Sequence, residues 1–320
     1  MNKISLFQLF GLFVLSALLT TACDDDNDND GSDLQGDLRV ELTDSPIDDP
    51  DISGVFVTVA DIRIDGESWD GFTGKTTIDL MAYQNGRTEL IGDGSLDAES
   101  YNNLELVLDY EEDASGNSPG CYVEKMDGTK KQLRTDDNTL EANKDFTVEA
   151  NQSSDIVIDF DLRKAVQRSD DAQEEYTFVA QNNLEAALRV VNKAEAGTIE
   201  GELMDNSTNS DRIVVYAYTE GAFNRMQEMQ ENSNGLRFQN AVSSSVVAED
   251  GTYALSFLES GDYELVFASY RDIDNDGETD LQGSLELNLL GNLGLDLTAL
   301  SVQSQTSLEV NLQITGLLPF

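Results

Sequence analysis

The chain has 320 residues, and its 62 acidic residues against 19 lysines and arginines give a formal net charge of −43 at pH 7. A chain of this charge repels phosphate backbones and anionic lipid headgroups, so we exclude nucleic acid as a partner. The absence of histidine excludes Ser-His-Asp and Cys-His catalysis, a histidine general base and histidine-bound zinc. The length suggests two domains, and the apolar content of 39% is high enough for folded structure.

Residues 1–22 form a predicted secretory signal. Lys3 precedes an apolar run from Ile4 to Leu19, and small residues lead directly to Cys23. This junction resembles the lipobox of bacterial lipoproteins, in which the signal is removed and the cysteine thiol is acylated. The resemblance implies a covalent lipid on Cys23 and attachment to a membrane through that anchor. The alternative is an ordinary cleaved signal with an incidental cysteine.

Residues 23–35 form a predicted acidic, flexible tether. Aspartate, asparagine, glycine and serine dominate it, and such a composition does not support a packed core. Aspartates directly after a lipidated cysteine resemble the export signal that sends lipoproteins to the cell surface in some Gram-negative groups. In enterobacterial sorting, an aspartate beside the cysteine instead means retention in the inner membrane. We expect an outer-membrane, lipid-anchored protein that is exposed at the cell surface.

The rest of the chain predicts an all-β fold with two β-sandwich domains of Ig-like or transthyretin-like type, over residues 36–191 and 197–320. Apolar and polar residues alternate in short runs that are separated by turn signals, as in β-sandwiches. The clearest runs are residues 37–43, 55–64, 102–110, 155–162, 214–218, 253–257, 263–267, 285–289 and 308–314. Residues 55–64 are apolar on both faces, which indicates a central strand. The pattern pauses near residues 191–196, and we place the domain boundary there.

One insertion in the second domain departs from the strand pattern. Phe223, Met226 and Met229 stand at helical spacing within residues 221–235. This spacing predicts a short helix that covers an edge of the sandwich. The alternative is a lid over a ligand.

Five ordered motifs in the first domain resemble the family called domain of unknown function 4382, which occurs in secreted and lipid-anchored bacterial proteins. They are residues 42–48 (LTDSPID), 55–59 (VFVTV), 77–80 (TIDL) with 85–86 (NG), 101–108 (YNNLELVL) and 158–162 (IDFDL). The resemblance implies a β-sandwich and supplies no established activity.

The second domain is similar to the transthyretin-like and carboxypeptidase-regulatory-like sandwiches of bacterial surface proteins. The residues that carry this resemblance are 250–255 (DGTYAL), Leu258, Gly261, Tyr263 and Leu265. The resemblance covers residues 197–290 and implies a spacer or a binding module.

A run of alternating acidic residues predicts a structural calcium site. Asp272, Asp274 and Asp276 stand at positions one, three and five of the run, Glu278 at seven and Asp280 at nine. Carboxylates at this spacing converge on one cation, and the glycine after Asp276 permits a sharp turn. The run lacks the acidic residue that an EF-hand needs at position twelve, so it is closer to the aspartate-rich calcium loops of extracellular modules. The alternative is a solvated acidic turn.

Acidic residues also offer a possible catalytic pair. Asp44, Asp61, Asp79, Asp159 and Asp161 would supply the two carboxylates of a glycoside hydrolase. In a chain with 62 acidic residues, however, close carboxylates occur by chance. Asp44 precedes Ser-Pro and is explained as a turn residue. Asp159 and Asp161 lie opposite the apolar face of their strand, where solvent or a neighbouring loop would explain them.

Two further residues have both a structural and a functional interpretation. Trp69 lies in a predicted loop, where it would either stack on a sugar as a ligand contact or cap the core. Cys121 has no base to form its thiolate, so we interpret it as a small buried hydrophobe rather than a nucleophile.

These features together predict a non-enzymatic, lipid-anchored envelope protein that binds a glycan, a protein or a matrix component and contains a structural calcium ion. One alternative is a two-carboxylate polysaccharide hydrolase. The other is a purely structural spacer or scaffold subunit of a surface complex.

Overall fold

The structure, a computed structural model, describes residues 34–47, 49, 51–142, 144–169, 174–204, 209–232, 236–274, 279–291 and 296–319. Residues Asp33–Phe320 cluster as one compact unit. The predicted signal peptide, Cys23 and the tether up to residue 33 lie outside the described residues. In the part of the chain that the structure describes, no helix is both long and apolar enough to cross a membrane.

The first half, defined here as residues 34–192, consists mainly of short strands. They are β1 (Gln35–Ser45), β2 (Ile52–Ile64), β3 (Glu67–Ser68), β4 (Thr76–Asp79), β5 (Glu89–Asp97), β6 (Ser100–Tyr101), β7 (Leu104–Leu108), β8 (Tyr122–Lys125), β9 (Lys130–Gln132), β10 (Thr139–Ala142), β11 (Phe146–Thr147), β12 (Ser153–Asp161), β13 (Val166–Arg168), β14 (Tyr176–Phe178) and β15 (Leu188–Asn192). Its helices are α1 (Leu162–Ala165), α2 (Gln181–Glu185) and a 3₁₀ turn (Leu80–Ala82).

Two sheets of the first half enclose one core. The four-stranded sheet has the order β15-β12-β1-β5, and the seven-stranded sheet has the order β10-β7-β2-β8-β9 with β3 and β4 added to β2. Alternation in β1 buries Leu38, Val40 and Leu42 in this core, where they have no exposed surface. The predicted central strand is β2, which pairs with β8 and then β7 along one edge and with β4 along the other.

The second half, defined here as residues 196–319, follows a 3₁₀ turn (Lys193–Glu195). Its strands are β16 (Ala196–Met204), β17 (Arg212–Thr219), β18 (Ser243–Val246), β19 (Thr252–Glu259), β20 (Gly261–Arg271), β21 (Asp280–Leu289), β22 (Leu300–Val302), β23 (Ser307–Glu309) and β24 (Leu312–Pro319), with a helix α3 (Arg225–Glu228). Within the described residues, no strand of one half pairs with a strand of the other. The division into two domains stays a prediction, because residues Asp33–Phe320 form one compact unit.

The nine-stranded sheet of the second half bends back on itself. Its main path is β18-β17-β20-β21-β24-β16-β19, so two strands that follow each other in the chain lie at opposite ends of the row. The short connection 247–251 crosses between those ends, and apolar side chains such as Val215, Leu255 and Phe267 fill the space inside. The strand content of both halves confirms the predicted all-β fold class.

The insertion of the second half covers a sheet face and not an edge. The outward side chains of β17 and β20, among them Val214, Tyr216 and Tyr218, form a second apolar cluster with Met229 and Phe238. The predicted short helix is present, but α3 has only four residues and Met226, one of the three residues that indicated it, is 78% exposed. After α3 the chain crosses the same sheet face again, and Phe238 packs there. No helical repeat in the sequence indicated this contact.

Candidate functional site

Two of the acidic residues considered as catalytic carboxylates have local structural roles. Asp61 accepts hydrogen bonds from Ser68 Oγ at 2.6 Å and from Arg63 Nε at 3.3 Å. Asp79 caps the 3₁₀ turn by accepting from the backbone N–H of Met81 at 3.2 Å. Burial raises the pKa of the Asp79 carboxyl, although hydrogen bonds from the backbone N–H groups of Val55 and Met81 act in the opposite direction.

Asp44 is buried at the end of β1, on the core side of the strand. Asp44 is 6% exposed, and Gln84 Nε2 donates to Asp44 Oδ2 at 3.1 Å. Among the described residues, Asp44 Oδ1 has no hydrogen-bond partner. Burial raises the pKa of the Asp44 carboxyl well above its usual value, and the nearby carboxylates of Asp159 and Asp161 raise it further. The turn role predicted for Asp44 is therefore incomplete, because its carboxyl is buried.

Asp159 holds an arginine that reaches the second half. Arg189 Nη2 donates to Asp159 Oδ2 at 2.6 Å, and Arg189 Nη1 donates to the backbone carbonyl of Phe257. Asp159 is 4% exposed. The pair therefore links β12 and β15 of the first half to β19 of the second.

Asp161 holds two cations in a similar way. Arg163 Nη2 donates to Asp161 Oδ2 at 2.8 Å, and Lys164 Nζ lies 3.1 Å from the same oxygen. The same cations donate to carbonyls of the second half, Arg163 to Phe238 at 3.4 Å and Lys164 to Ala241 at 2.7 Å. Burial alone would raise the pKa of Asp161, but the attraction of Arg163 and Lys164 outweighs burial and holds that pKa below its usual value.

The environment of Asp159 and Asp161 differs from the sequence expectation. Both residues lie on the side of β12 that faces away from the core, as predicted, but the second half covers them and solvent does not. The two residues that decide this, Arg163 and Arg189, were missed. Neither stands in a recognisable motif, and their acceptors lie 75 and 68 residues further along the chain.

A cleft of about 580 Å³ lies where the two halves meet. The first half contributes Ile47, Asn183 and Ala186 to its walls, and the second half contributes Gln239 and Tyr270. A concave surface with polar and apolar walls is the usual form of a ligand site.

The charged groups that line the cleft are held in ion pairs, Arg163 and Lys164 by Asp161 and the others with one another. Arg168 Nε donates to Asp49 Oδ2 at 2.9 Å, and the hydroxyl of Tyr176 donates to the same oxygen at 2.9 Å. On the opposite wall, Arg237 Nη2 lies 2.8 Å from Glu231 Oε1. The cleft therefore presents ion-paired side chains beside amides such as Asn183 and Gln239.

The predicted calcium loop lies between β20 and β21, and only part of it is described. Asp272 follows β20, and its backbone N–H donates to Asp211 Oδ2 at 3.0 Å. Asp274 is exposed, and Asp280 is the exposed first residue of β21. Asp276 and Glu278 lie outside the described residues. Within the described part of the chain, no three acidic residues come together in a group that would hold a metal ion, so calcium stays a prediction.

Trp69 is part of the core. It is 5% exposed, its Nε1 donates to the carbonyl of Ser95 at 3.3 Å, and its ring lies against Gly71, Gly92 and Gly94. The sequence allowed two positions for Trp69, a ligand contact or a cap on the core, and the structure has it in the core. A sugar would reach the ring face only after the residues around Gly71 moved away.

Cys121 is buried with no exposed surface. The backbone N–H of Thr58 donates to its Sγ at 3.3 Å. Burial raises the pKa of the Cys121 thiol to about 12, so the thiol is not ionised at neutral pH. This agrees with its interpretation as a small buried hydrophobe.

Residues 35–180 match the profile of the family described as “Domain of unknown function (DUF4382)”. The match confirms the family resemblance that the five ordered motifs predicted for the first half. No curated protein matches the chain.

Matches to solved structures are of low identity. The TIE protein of Bacillus anthracis is 10% identical at a TM-score of 0.19, with 88% of this chain and 34% of that chain covered. A leucine-rich repeat protein from Bacteroides thetaiotaomicron is 13% identical at 0.18, with 90% and 26% covered. BcpA, the major pilin subunit of Bacillus cereus, is 10% identical at 0.22, with 88% and 70% covered. The chain spans about a third and a quarter of the first two, and at such TM-scores the likeness carries no argument.

Proposed function

We propose that the protein is a non-enzymatic, lipid-anchored module of the bacterial cell envelope that binds a ligand in the cleft between its halves. The observation that carries this proposal is the cleft of about 580 Å³, whose walls come from both halves. Its charged side chains are already paired, which favours an uncharged, hydrogen-bonding ligand over a strongly charged one. A neutral glycan fits this description best, ahead of a protein segment or a matrix component.

The use of the candidate carboxylates supports a non-enzymatic role. A glycoside hydrolase needs two carboxyl groups on either side of the scissile bond, one of them free to act as an acid. Here Asp159 and Asp161 are engaged by Arg189 and Arg163, and Asp44 is buried beneath the strand end. Asp159 and Asp161 are accounted for by their ion pairs, and Asp44 has little surface for a substrate to reach, so the hydrolase alternative has less support than the binding module.

Screening on an array of neutral and acidic glycans, together with envelope and matrix proteins, tests the proposal with the full mature chain. Asn183 and Asn182 are adjacent exposed residues of α2, but only Asn183 lines the cleft. We expect Asn183→Trp to block the cleft and weaken binding of any array ligand by about tenfold or more, a loss of about 1.4 kcal/mol. The matched variant Asn182→Trp should bind like the wild type.

Two results would count against the cleft. Equal affinities of Asn183→Trp and wild type would place the ligand elsewhere on the surface. Absence of binding across the whole array would favour the alternative of a structural spacer or scaffold subunit.

A further inference from the structure

The outer face of the four-stranded sheet is built to receive the second half. This outer face is defined by Glu41 and Thr43 of β1 and Val157 and Asp159 of β12, which point away from the core and are nevertheless buried. Three of these four residues are polar or charged. Because unpaired buried polar groups cost free energy, each of the three has a partner. Thr43 donates to the carbonyls of Tyr83 and Arg87, Lys193 donates to Glu41, and Arg189 donates to Asp159 and continues to the second half.

The first contact across this face ends at a distorted residue of the second half. Ser256 and Phe257 of β19 both lie opposite Thr198 of β16, which makes a β-bulge. Phe257 has a φ of +56°, a conformation that is unusual for a bulky side chain. The bulge turns the Phe257 carbonyl out of the ladder, and Arg189 donates to that carbonyl.

The second contact has the same form. Phe238 has a φ of +51°, and its carbonyl accepts from Arg163 Nη1. The Arg163 guanidinium also lies 5.1 Å from the ring centre of Tyr216, on the outward face of β17. Arg163 is 7% exposed, so this cation is held entirely between the two halves and Asp161.

Smaller contacts lie around these two. Arg212 Nη2 donates to the carbonyl of Ile47 at 2.7 Å, and the Ser245 hydroxyl donates to Asn85 Oδ1 at 2.7 Å. Lys144 and Glu259 form a more exposed ion pair at 2.5 Å. Such exposed pairs contribute little. Lys164 adds a single bond from the Asp161 cluster to the Ala241 carbonyl at 2.7 Å, whereas Arg163 and Arg189 each join a buried carboxylate to the second half through two nitrogens, so we expect these two arginines to dominate.

From this geometry we infer that the outer face is a docking surface for the second half, and that Arg163 and Arg189 couple the two halves into one cooperative folding unit. Asp159 and Asp161 are positioning residues: each holds an arginine so that its other nitrogen reaches a carbonyl across the interface. The inference does not depend on ligand binding, so the two proposals fail independently.

The single tryptophan of the chain makes the test direct. Trp69 fluorescence reports only the first half, whereas far-UV circular dichroism reports the strands of both halves. In the wild type, thermal transitions followed by the two probes should coincide. In the double variant R163K/R189K, each lysine keeps the charge beside its aspartate but lacks the forked donors of arginine. We expect the dichroism transition to split, with one part at least about 5 °C below the Trp69 midpoint.

The double variant R39K/R63K is the matched control. Arg39 and Arg63 pair with Asp93 and Asp61 on the surface of the first half, so its two probes should still coincide. A single transition of R163K/R189K, at any temperature, would overturn the assignment of the coupling to these arginines. Separate transitions in the wild type would overturn the single folding unit. If R163K/R189K does not fold, R189K alone is measured and judged by the same two outcomes.

Discussion

Glycine residues decide where Trp69 lies. A Cβ atom added at Gly92 would lie 2.4 Å from Trp69 Cζ3, and one added at Gly94 would lie 2.6 Å from the Cα of Gly71. Only glycine at these positions of the edge strand β5 leaves room for the indole ring and its loop. An indole that is packed in this way stabilises the first half and has little surface left for a ligand.

We therefore expect Gly92→Ala to lower the free energy of unfolding by about 1–3 kcal/mol through overpacking. Chemical unfolding followed by circular dichroism measures the change. Gly261→Ala is the control, since the nearest atom to its added Cβ lies 3.7 Å away, and it should cause no loss. Equal stability of the two variants would show that the ring is not confined as described.

A second residue, Asp44, is expected to oppose folding at neutral pH. The folded-state pKa of its carboxyl is raised above the ordinary value of 3.8 by burial. Above pH 3.8 the unfolded chain releases this proton more readily than the folded chain, so the cost to stability grows as the pH rises towards the folded-state pKa. Below pH 3.8 both states hold the proton and the cost disappears.

Asp44→Asn removes the titrating group and keeps an acceptor for Gln84. We expect its urea midpoint to exceed that of the wild type at pH 7, with a difference that shrinks as the pH falls towards 4. Asp262→Asn, at an exposed position of β20, should show no such pH-dependent gain. A constant difference from pH 7 to pH 4 would mean that Asp44 does not titrate between these values.

At the level of strands, the alternation of apolar and polar residues predicts well which side chains face the core. It predicts poorly what covers the opposite face. The pattern of β1 and β12 correctly assigned Leu42, Ile158 and Phe160 to the core, since side chains alternate between two faces. It did not reveal that the polar face is buried, because the cover over Asp159 and Asp161 comes from distant segments. A polar residue that faces solvent and one that faces an arginine of another element look identical in a single sequence.

The insertion over β17 and β20 shows the same limit. Apolar spacing in Phe223, Met226 and Met229 indicated a helix, but packing against Tyr216 selects only some of these side chains. Local periodicity cannot show which of these side chains pack when the surface that they cover belongs to another part of the fold. The cleft beside the insertion was likewise absent from the sequence reasoning, since its walls are far apart in the chain.

The loop between β20 and β21 gives a prediction about metal binding. With a dissociation constant of about 10⁻⁴ M, calcium at about 2 mM would stabilise the folded chain by about 1.8 kcal/mol. We expect thermal unfolding in calcium to be several degrees higher than in chelator, and Asp274→Ala with Asp280→Ala to abolish the gain. Asp262→Ala removes a charge at the other end of β20 and should retain it. A gain that survives in the double variant would place the ion elsewhere.

In the molecule as a whole, the arginine contacts, the cleft and the anchor have separate roles. We infer that Arg163 and Arg189 hold the halves together, and the cleft lies where the halves meet. The predicted lipid on Cys23 would place this unit on the envelope, and the strong negative charge of the chain would keep it away from anionic headgroups and phosphate polymers. The proposed binding at the cell surface would therefore depend on the predicted anchor.

Intact-cell antibody labelling combined with membrane fractionation of wild type and Cys23→Ser tests that dependence. The wild type should be in the outer-membrane fraction and labelled on intact cells, whereas Cys23→Ser should leave the membrane fraction. Cys121→Ala, which removes the only other cysteine, should behave like the wild type. Retention of Cys23→Ser in the membrane fraction with unchanged labelling would contradict the lipid anchor and, with it, the assignment to the cell surface through Cys23.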